Sequence, residues 1–271
     1  MRKVVTIAGS DATGGGGLEA DLKTFQEFGT FGLAAITSIV TLDPENGRHA
    51  VDLLSSEVIE RQLASVFAGP IDAIKTGLLP TTAIIELVAE QLTQRTEKIV
   101  VDPVIGGKKT QAFIGQENVR ALQTKLLPQA FLTTPNLREA AILAGMSEIK
   151  NRQQMTQAAE KIARFGVPHV VIKGGTRLVE NKNQTVDLYY DGTSHFYPHP
   201  LIQTTTNHGA GCTFAAAITA ALAKGALPQA AVECGIKFTA AAIKAGVQIN
   251  QYTGHVWHGA YNHAEKRMEK C

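Results

Sequence analysis

The sequence predicts an α/β fold in which helices cover both faces of a mostly parallel sheet. Short apolar, β-branched runs recur along the 271 residues, and a helix-length amphipathic or alanine-rich segment follows most of them. Strands that are apolar throughout are typical of parallel sheets, and their alternation with helices is typical of βαβ units. Polar and glycine motifs stand where the strands end, which is the edge where open α/β sheets bind ligands. This placement favours an enzyme acting on a small molecule over an interaction module.

The predicted elements follow one another in a regular order. Short runs of valine, isoleucine, leucine and alanine predict strands at about Lys3–Ala8, Leu33–Thr41, Ala73–Lys75, Lys98–Val101, Ala130–Thr133 and His169–Ile172. Apolar residues at helical spacing, or alanine-rich runs, predict helices at about Leu18–Phe28, Glu57–Phe67, Thr81–Gln94, Asn136–Gly145, Met155–Phe165, Gly209–Ala223 and Pro228–Ala245. Between about Val186 and Pro198 the runs are shorter and more polar, which predicts an antiparallel edge hairpin. No repeat or linker interrupts the series, so we expect one domain over residues 1–271.

The composition excludes several classes of protein. With 44% hydrophobic and 18% charged residues the chain can bury a large core, and a net charge of +2 is too weak to attract nucleic acid or an anionic membrane. Cys212, Cys234 and Cys271 form no CxxC pair, which argues against a disulfide scaffold and against structural zinc. No apolar stretch approaches the roughly 20 residues of a membrane span, and the run Val4–Ala8 is too short for a signal peptide. We therefore expect a cytoplasmic protein.

The most informative motif, NHGAGCTF at residues 207–214, stands at the start of an alanine-rich helix. Gly209 and Gly211 let the backbone approach a ligand closely, and the N-terminus of a helix presents N–H groups to an anion. A thiol in the first turn of a helix ionises readily, so Cys212 is a candidate acceptor of a hydroxyl proton during phosphoryl transfer. The alternative is a glycine-rich helix start with a buried, inert cysteine.

Three further features are ambiguous when each is taken alone. The glycine run 14–17 is neither a Walker A loop nor a dinucleotide fingerprint, and it is also compatible with a flexible turn. Asp102, just after a strand, and Glu139, just after Asn136, are each compatible with a Mg²⁺ ligand or with a helix cap.

Taken together, six motifs resemble those of the ribokinase superfamily. In chain order they read AGSD with GGGGLEADLKTF, KTGLL, VDPV, TPNLREA, IKGG and HGAGCTF, and the resemblance covers about residues 3–245. Within the superfamily they are most similar to the branch of hydroxymethylpyrimidine (phosphate) kinases and the related bacterial pyridoxal kinases. The resemblance implies a ribokinase-like three-layer α/β sandwich that transfers a phosphoryl group from ATP to a small alcohol.

The resemblance also implies roles for individual residues. The anion hole would consist of Gly209, Ala210 and Gly211, and Cys212 would stand where most of the superfamily has a catalytic aspartate. The residues implied to contact ATP are Lys173, Asn136, Glu139, Gly175 and Thr205, and those implied to organise Mg²⁺ are Asp102 and Glu139. The implied substrate contacts are Gly9, Asp21, Leu42, Lys75, Leu79 and His208. A monovalent cation such as K⁺ is a further candidate cofactor, and a homodimer is expected from the family.

Leu42 bears on the choice of substrate. The pyrimidine kinases are expected to have a glutamine at the matching position, and leucine cannot make the hydrogen bonds of that amide. This departure, with TLDP at residues 41–44 and INQY at 249–252, favours pyridoxal as the substrate. The alternatives are a hydroxymethylpyrimidine (phosphate) kinase of thiamine biosynthesis and a non-catalytic vitamin-binding relative.

Two regions near these motifs are less distinctive. Some kinases of the pyridoxal subgroup have a second cysteine in a lid where this chain has Gly107, so a paired-cysteine mechanism is not expected. Lys108 and Lys109 of this lid are compatible with phosphate contacts or with a solvated loop. The spacing of His255, His258 and His263 matches no recognised metal site and predicts a solvated C-terminal tail.

Overall fold

The computed structural model describes residues 1–106, 115–180 and 183–262. The strands are β1 (Lys3–Asp11), β2 (Phe31–Leu42), β3 (His49–Leu53), β4 (Ala73–Thr76), β5 (Lys98–Val101), β6 (Leu132–Thr133), β7 (His169–Ile172), β8 (Val179–Glu180), β9 (Gln184–Tyr190), β10 (Ser194–Pro200), β11 (Val247–Gln248) and β12 (Gly254–His255). The helices are α1 (Gly17–Glu27), α2 (Ser56–Val66), α3 (Thr82–Leu92), α4 (Gln116–Ala121), α5 (Leu137–Leu143), α6 (Arg152–Ala163), α7 (Ala210–Ala223) and α8 (Pro228–Lys244). None of the helices in these three ranges combines the length and the apolar character that crossing a bilayer requires.

The chain forms two compact units. The first contains Met1–Gly77 and Ile202–Cys271, and the second contains Leu78–Leu201. In the first unit β1 is the central strand and pairs in parallel with β2 on one side and β4 on the other. The outer strand β3 runs antiparallel to β2, with His49 opposite Leu42.

The core of the first unit depends on small side chains. Residues Thr213–Ala223 of α7 are all buried. Ala216, Ala220 and Ala223 pack with Val4 and Phe25 in one apolar cluster. Helix α8 lies close to α7 at Gly235. A Cβ atom added at this residue would be only 2.9 Å from Ile218 Cγ1. The alanine-rich composition therefore lets α7 lie in the core, with its N-terminal end at the motif singled out above.

In the second unit β5, β6 and β7 are parallel neighbours, and β9 and β10 continue the sheet in antiparallel orientation. The short strand β8 also pairs with β9. The predicted edge hairpin is thus confirmed, as Gln184–Tyr190 and Ser194–Pro200. The carboxyl ends of β5, β6 and β7 bring Asp102, Thr134 and Lys173 to one edge of this sheet.

The structure differs from the predicted elements in several places. Strand β3, helix α4 and the hairpin of β11 and β12 lack a pattern strong enough to predict, because they are short and largely polar on one side. The strand predicted at Ala130–Thr133 is shorter, since β6 contains Leu132 and Thr133.

Candidate active site

The start of α7 has the geometry expected of an anion site. Gly209 is the N-cap residue with φ +84°, a left-handed conformation that glycine adopts at little cost. Thr213 N donates to Gly209 O at 2.9 Å, which is the first bond of the helix. The predicted residues Ala210, Gly211 and Cys212 form the first turn, and Ala210 N donates to Asn207 O, before the helix, at 3.3 Å. Cys212 is half-buried, so its thiol is not sequestered in the core.

The glycine run 14–17 packs directly against this turn. A Cβ atom added at Gly209 would lie 1.6 Å from Gly15 O, so the two backbones touch. A Cβ atom at Gly15 would lie 2.4 Å from the ring of His255. Gly17 has φ +54°, and a Cβ atom there would lie 2.2 Å from the carbonyl oxygen of Gly9. The run is therefore a close-packed loop that admits no side chains at these positions, and not a flexible turn.

Asp11 organises this loop, a role that sequence reasoning missed. Its Oδ1 accepts hydrogen bonds from Thr13 N at 2.9 Å and Thr13 Oγ1 at 2.6 Å. Its Oδ2 accepts from Gly16 N and from His208 Nε2, both at 2.7 Å. The spacing of Asp11 and Thr13 is that of an Asx turn, a local signal that could have indicated the loop contacts. The contact with His208 has no local signal.

The histidines near this loop correct one prediction. His255 and His258 are each 5% exposed, so this part of the C-terminal segment is not a solvated tail. His263 lies outside the described residues. His255 pairs with His208 through a parallel β-bridge, and the side chain of His49 stacks on that of His208. Burial, and to a smaller extent the positive charge of Lys23, lowers the pKa of His258 to about 4.

Four predicted substrate residues also lie in the first unit. Gly9 is buried, and Leu42 is half-buried at the end of β2. Asp21 and Lys75 are fully buried and contact each other, with Lys75 Nζ 2.8 Å from Asp21 Oδ2. Thr6 Oγ1 donates to the same carboxylate oxygen at 2.6 Å. The structure thus brings Asp21 and Lys75 together, in a contact that sequence reasoning did not foresee.

In the second unit two residues that were predicted separately, Lys173 for ATP and Asp102 for Mg²⁺, form a charged pair. Lys173 Nζ lies 3.3 Å from Asp102 Oδ1, and Thr134 Oγ1 donates to the same oxygen at 3.1 Å. Lys173 N donates to Pro135 O at 3.0 Å, and Lys173 forms an isolated parallel bridge with Asn136. The ends of three adjacent strands therefore place a cation and a carboxylate where a nucleotide phosphate and its metal ion can bind.

Asn136 and Glu139 form a capping box at the start of α5. Asn136 Oδ1 accepts from Glu139 N at 3.1 Å, and Glu139 Oε2 accepts from Asn136 N at 2.9 Å. The capping alternative is therefore present, and the backbone of Ile105 also hydrogen-bonds the Glu139 carboxylate. Burial raises the pKa of Glu139 to about 7; Lys173 opposes this rise and Asp102 adds to it.

These carboxylates fit a divalent cation. In the described ranges no three His, Cys, Asp or Glu side chains are close enough to hold a metal ion by themselves. Mg²⁺ bound with a nucleotide needs one or two carboxylates, because phosphate and water oxygens complete its coordination. Asp102 and Glu139 provide two oxygen donors. A cation beside Glu139 would also favour the ionised carboxylate that burial disfavours.

The remaining predicted residues are Gly175, Thr205 and Leu79. Gly175 has φ +55° and is exposed, and Thr205 is exposed in a bend before α7. Leu79 is 2% exposed in the second unit. Gly174, beside Gly175, donates its N–H to Asp187 at 2.8 Å, which fixes the loop after β7. Gly107, Lys108 and Lys109 of the predicted lid lie outside the described residues.

Comparison with known proteins identifies the family. The model of the family described as phosphomethylpyrimidine kinase matches residues 11–257. The chain belongs to the phosphomethylpyrimidine kinase family. Pyridoxine kinase of Bacillus subtilis (strain 168) is 45% identical over 264 residues, which are 96% of this chain and 97% of that protein. The hydroxymethylpyrimidine/phosphomethylpyrimidine kinase of the same strain is 39% identical over 263 residues, 96% of this chain and 95% of that protein.

Solved structures of this family agree with the fold. The ADP complex of Bacillus subtilis pyridoxal kinase has a TM-score of 0.91 at 44% identity, covering 97% of this chain and 99% of that one. The pyridoxal kinase from Staphylococcus aureus in complex with AMP-PCP and pyridoxal has a TM-score of 0.90 at 44% identity, covering 97% and 95%. The family and the ribokinase-like α/β fold with a mostly parallel central sheet, both predicted from the sequence, are confirmed.

Proposed function

We propose that the protein is an ATP-dependent kinase that phosphorylates the 5'-hydroxymethyl group of pyridoxal, giving pyridoxal 5'-phosphate and ADP. The observation that carries this proposal is the agreement with the Staphylococcus aureus pyridoxal kinase in complex with AMP-PCP and pyridoxal, at 44% identity and a TM-score of 0.90 over 97% of this chain. The loop around Asp11, the first turn of α7 and the pair of Lys173 with Asp102 supply the groups that such a reaction needs.

The first unit provides the groups for the acceptor and the transferring phosphoryl group. The hydroxyl oxygen of pyridoxal attacks the γ-phosphorus, the bond from that phosphorus to the β,γ-bridging oxygen breaks, and ADP leaves. The thiolate of Cys212 accepts the hydroxyl proton. The backbone N–H groups at the start of α7 and the helix dipole stabilise negative charge on the phosphoryl oxygens. Since phosphoryl transfer depends mainly on positioning and charge stabilisation, no covalent intermediate is required.

The second unit provides the groups for the nucleotide. Lys173 would bind phosphate oxygens as a point charge, and Asp102 holds its ammonium group at 3.3 Å. Asp102 and Glu139 would hold Mg²⁺, which supplies charge neutralisation on the phosphates when bound. Asn136 orients Glu139 through the capping box. We further propose that Gly175 and Thr205 contact ATP. We also propose a requirement for K⁺, a homodimer and a cytoplasmic location.

Hydroxymethylpyrimidine is a second candidate substrate, because the matching family is described as phosphomethylpyrimidine kinase and a relative of that activity is 39% identical. Leu42 argues against it as the preferred substrate. A pocket that leaves the polar edge of the pyrimidine without hydrogen bonds would lose about 1–3 kcal/mol of binding. Pyridoxal therefore remains the first choice.

The test is ADP release by the purified protein with Mg-ATP and either pyridoxal or hydroxymethylpyrimidine. We expect a higher kcat/KM with pyridoxal, together with the absorbance of pyridoxal phosphate. The matched control is Lys173→Met, which should abolish ADP release with both substrates and exclude a contaminating kinase. A higher kcat/KM with the pyrimidine would overturn the substrate, and no ADP release with either would favour a non-catalytic vitamin-binding protein.

A further inference from the structure

Asp11 joins the starts of two helices that are remote in sequence. Its Oδ2 atom accepts a hydrogen bond from the N–H of Gly16, the N-cap residue of α1, at 2.7 Å. The same atom accepts from Nε2 of His208 at 2.7 Å, across 197 positions of the chain. His208 immediately precedes Gly209, the N-cap residue of α7. One buried carboxylate oxygen therefore connects the glycine loop to the predicted anion hole.

An ionised Asp11 requires a donor at Nε2 of His208. Burial by itself raises the pKa of Asp11, but hydrogen bonds from His208 and Thr13 outweigh burial and hold this pKa well below its usual range. An ionised carboxylate can only accept hydrogen bonds. His208 therefore carries a hydrogen on Nε2 whether its ring is neutral or charged, and this hydrogen is engaged with Asp11.

A second contact lies at the adjacent residue. Gly209 approaches Gly15 so closely that a Cβ atom would stand 1.6 Å from the carbonyl oxygen of Gly15. The two contacts, of Asp11 with His208 and of Gly15 with Gly209, join adjacent residues before α7 to two residues of the loop that lie four positions apart. Two points of attachment fix the direction of the first turn of α7 as well as its distance from the loop.

The main chain of His208 is held independently of its side chain. His208 N donates to Gly254 O at 3.0 Å, and Val256 N donates to His208 O at 3.2 Å. Loss of the imidazole would therefore leave the segment attached to β12. It would remove the connection to Asp11, so a change at His208 can alter the position of the anion hole without unfolding the unit.

We infer that Asp11 and His208 are positioning residues, which hold the first turn of α7 and Cys212 in register with the glycine loop. This inference rests on the proposed kinase function. The imidazole acts through its Nε2–H group and the adjacent Gly209, and it takes no proton from the substrate. The substrate contact of His208 that the family resemblance implies is not needed for this role.

The decisive comparison is His208→Gln with His208→Leu. The amide of glutamine can donate from about the position of Nε2, whereas leucine fills the space without a donor. We expect His208→Leu to lower kcat by roughly 100-fold with little change in KM for pyridoxal, since small misplacements cost about that much. His208→Gln should keep kcat within about five-fold of the wild type. The matched control is His195→Leu, which removes an exposed pair with Asp191 on the hairpin of β9 and β10 and should leave kcat unchanged.

Two outcomes of these kinetic measurements would overturn the inference. Wild-type kcat in His208→Leu would mean that the contact has no effect on turnover. Equal losses in His208→Gln and His208→Leu would mean that the imidazole itself takes part in the chemistry. Asp11→Asn supplies a further check, because the double variant with His208→Leu should be no slower than the slower single variant if both residues act through one contact.

A structural readout separates this inference from the proposed function. In protein labelled with ¹⁵N-histidine, we expect a slowly exchanging Nε2 proton at pH 8 that disappears in His208→Gln. If that proton is present but the wild type does not turn over pyridoxal, the proposed function fails and the contact between Asp11 and His208 is still supported. With turnover present and no protected Nε2 proton, the inference fails and the proposed function stands.

Discussion

Lys75 and Asp21 form a fully buried ion pair, with Nζ and Oδ2 2.8 Å apart and neither side chain exposed to solvent. The pair connects the middle of α1 to β4, and Thr6 on β1 donates to the same oxygen. Removing one charge of such a pair leaves the other buried without its counter-ion, which is costly. The sequence predicts substrate contacts for both residues. In the structure they contact each other, and their contact with substrate stays a prediction.

Lys75→Met should therefore destabilise the protein by about 3–5 kcal/mol, measured as the free energy of unfolding in urea. Replacing both residues, in Asp21→Leu with Lys75→Met, should recover much of this loss because no charge remains buried. The control is Arg2→Met, which removes a largely exposed pair with Asp72 and should cost less than about 1 kcal/mol. Equal losses of unfolding free energy in Lys75→Met and Arg2→Met would mean that burial of the ion pair does not determine the cost of breaking it.

Cys212→Ala should lower kcat by about 10²–10⁴-fold, the usual contribution of a positioned proton acceptor. KM for pyridoxal should change much less, because the thiolate is expected to act in the transition state. Cys234→Ala is the matched control: this half-buried thiol lies on α8, and its pKa is raised by burial. Steady-state kinetics of both variants measure this difference. Near-normal kcat in Cys212→Ala would rule out a mechanism in which the Cys212 thiolate accepts the hydroxyl proton.

Glu139→Gln should change how stability depends on pH. The pKa of Glu139 is raised from 4.5 to about 7, so the folded state holds a proton that the unfolded state releases. The stabilisation by this group is complete below pH 4.5 and is lost as pH rises to about 7. As pH rises between these values, the free energy of unfolding of Glu139→Gln should increase by up to about 3 kcal/mol relative to that of the wild type. Urea unfolding at several pH values, without nucleotide, measures the difference. Parallel plots of unfolding free energy against pH for the wild type and Glu139→Gln would contradict this prediction.

Gly209→Ala should impair both folding and activity. The substitution adds a Cβ atom in a left-handed conformation and also places it 1.6 Å from Gly15 O. Gly225→Ala is a matched control at the other end of α7, with φ +93° and no atom within 4 Å of the added Cβ. The control should lose about 1–2 kcal/mol from backbone strain alone. Thermal unfolding and kcat should show a clearly larger effect at Gly209, and equal effects would argue against close contact with the loop.

Leu42→Gln should shift the substrate preference towards hydroxymethylpyrimidine. An added amide can hydrogen-bond the polar edge of the pyrimidine, which is worth about 10–100-fold in the ratio of the two kcat/KM values. Leu227→Gln, at a residue that is 75% exposed before α8, is the control and should leave the ratio unchanged. An unchanged ratio in Leu42→Gln would remove Leu42 from the list of specificity residues.

The regular elements and the family could be predicted from the sequence because local patterns encode them. Apolar runs and amphipathic spacing placed β5 and β7 at their observed bounds and most helices within a few residues. The motif at residues 207–214 indicated the start of a helix, which the structure confirms, whereas the positive φ of Gly209 was not predicted. Short polar elements such as β3 were missed because they carry little periodic signal.

The contacts of the candidate site depended on the path of the chain. The hydrogen bond of Asp11 with His208 and the approach of His255 to Thr13 join residues 197 and 242 positions apart, distances over which local patterns carry no information. Burial, which exists only in the folded chain, pairs Lys75 with Asp21 and raises the pKa of Glu139. The sequence by itself determined which chemical groups are present and which elements carry them. The tertiary structure decided which groups meet and how they ionise, because both depend on packing between remote segments.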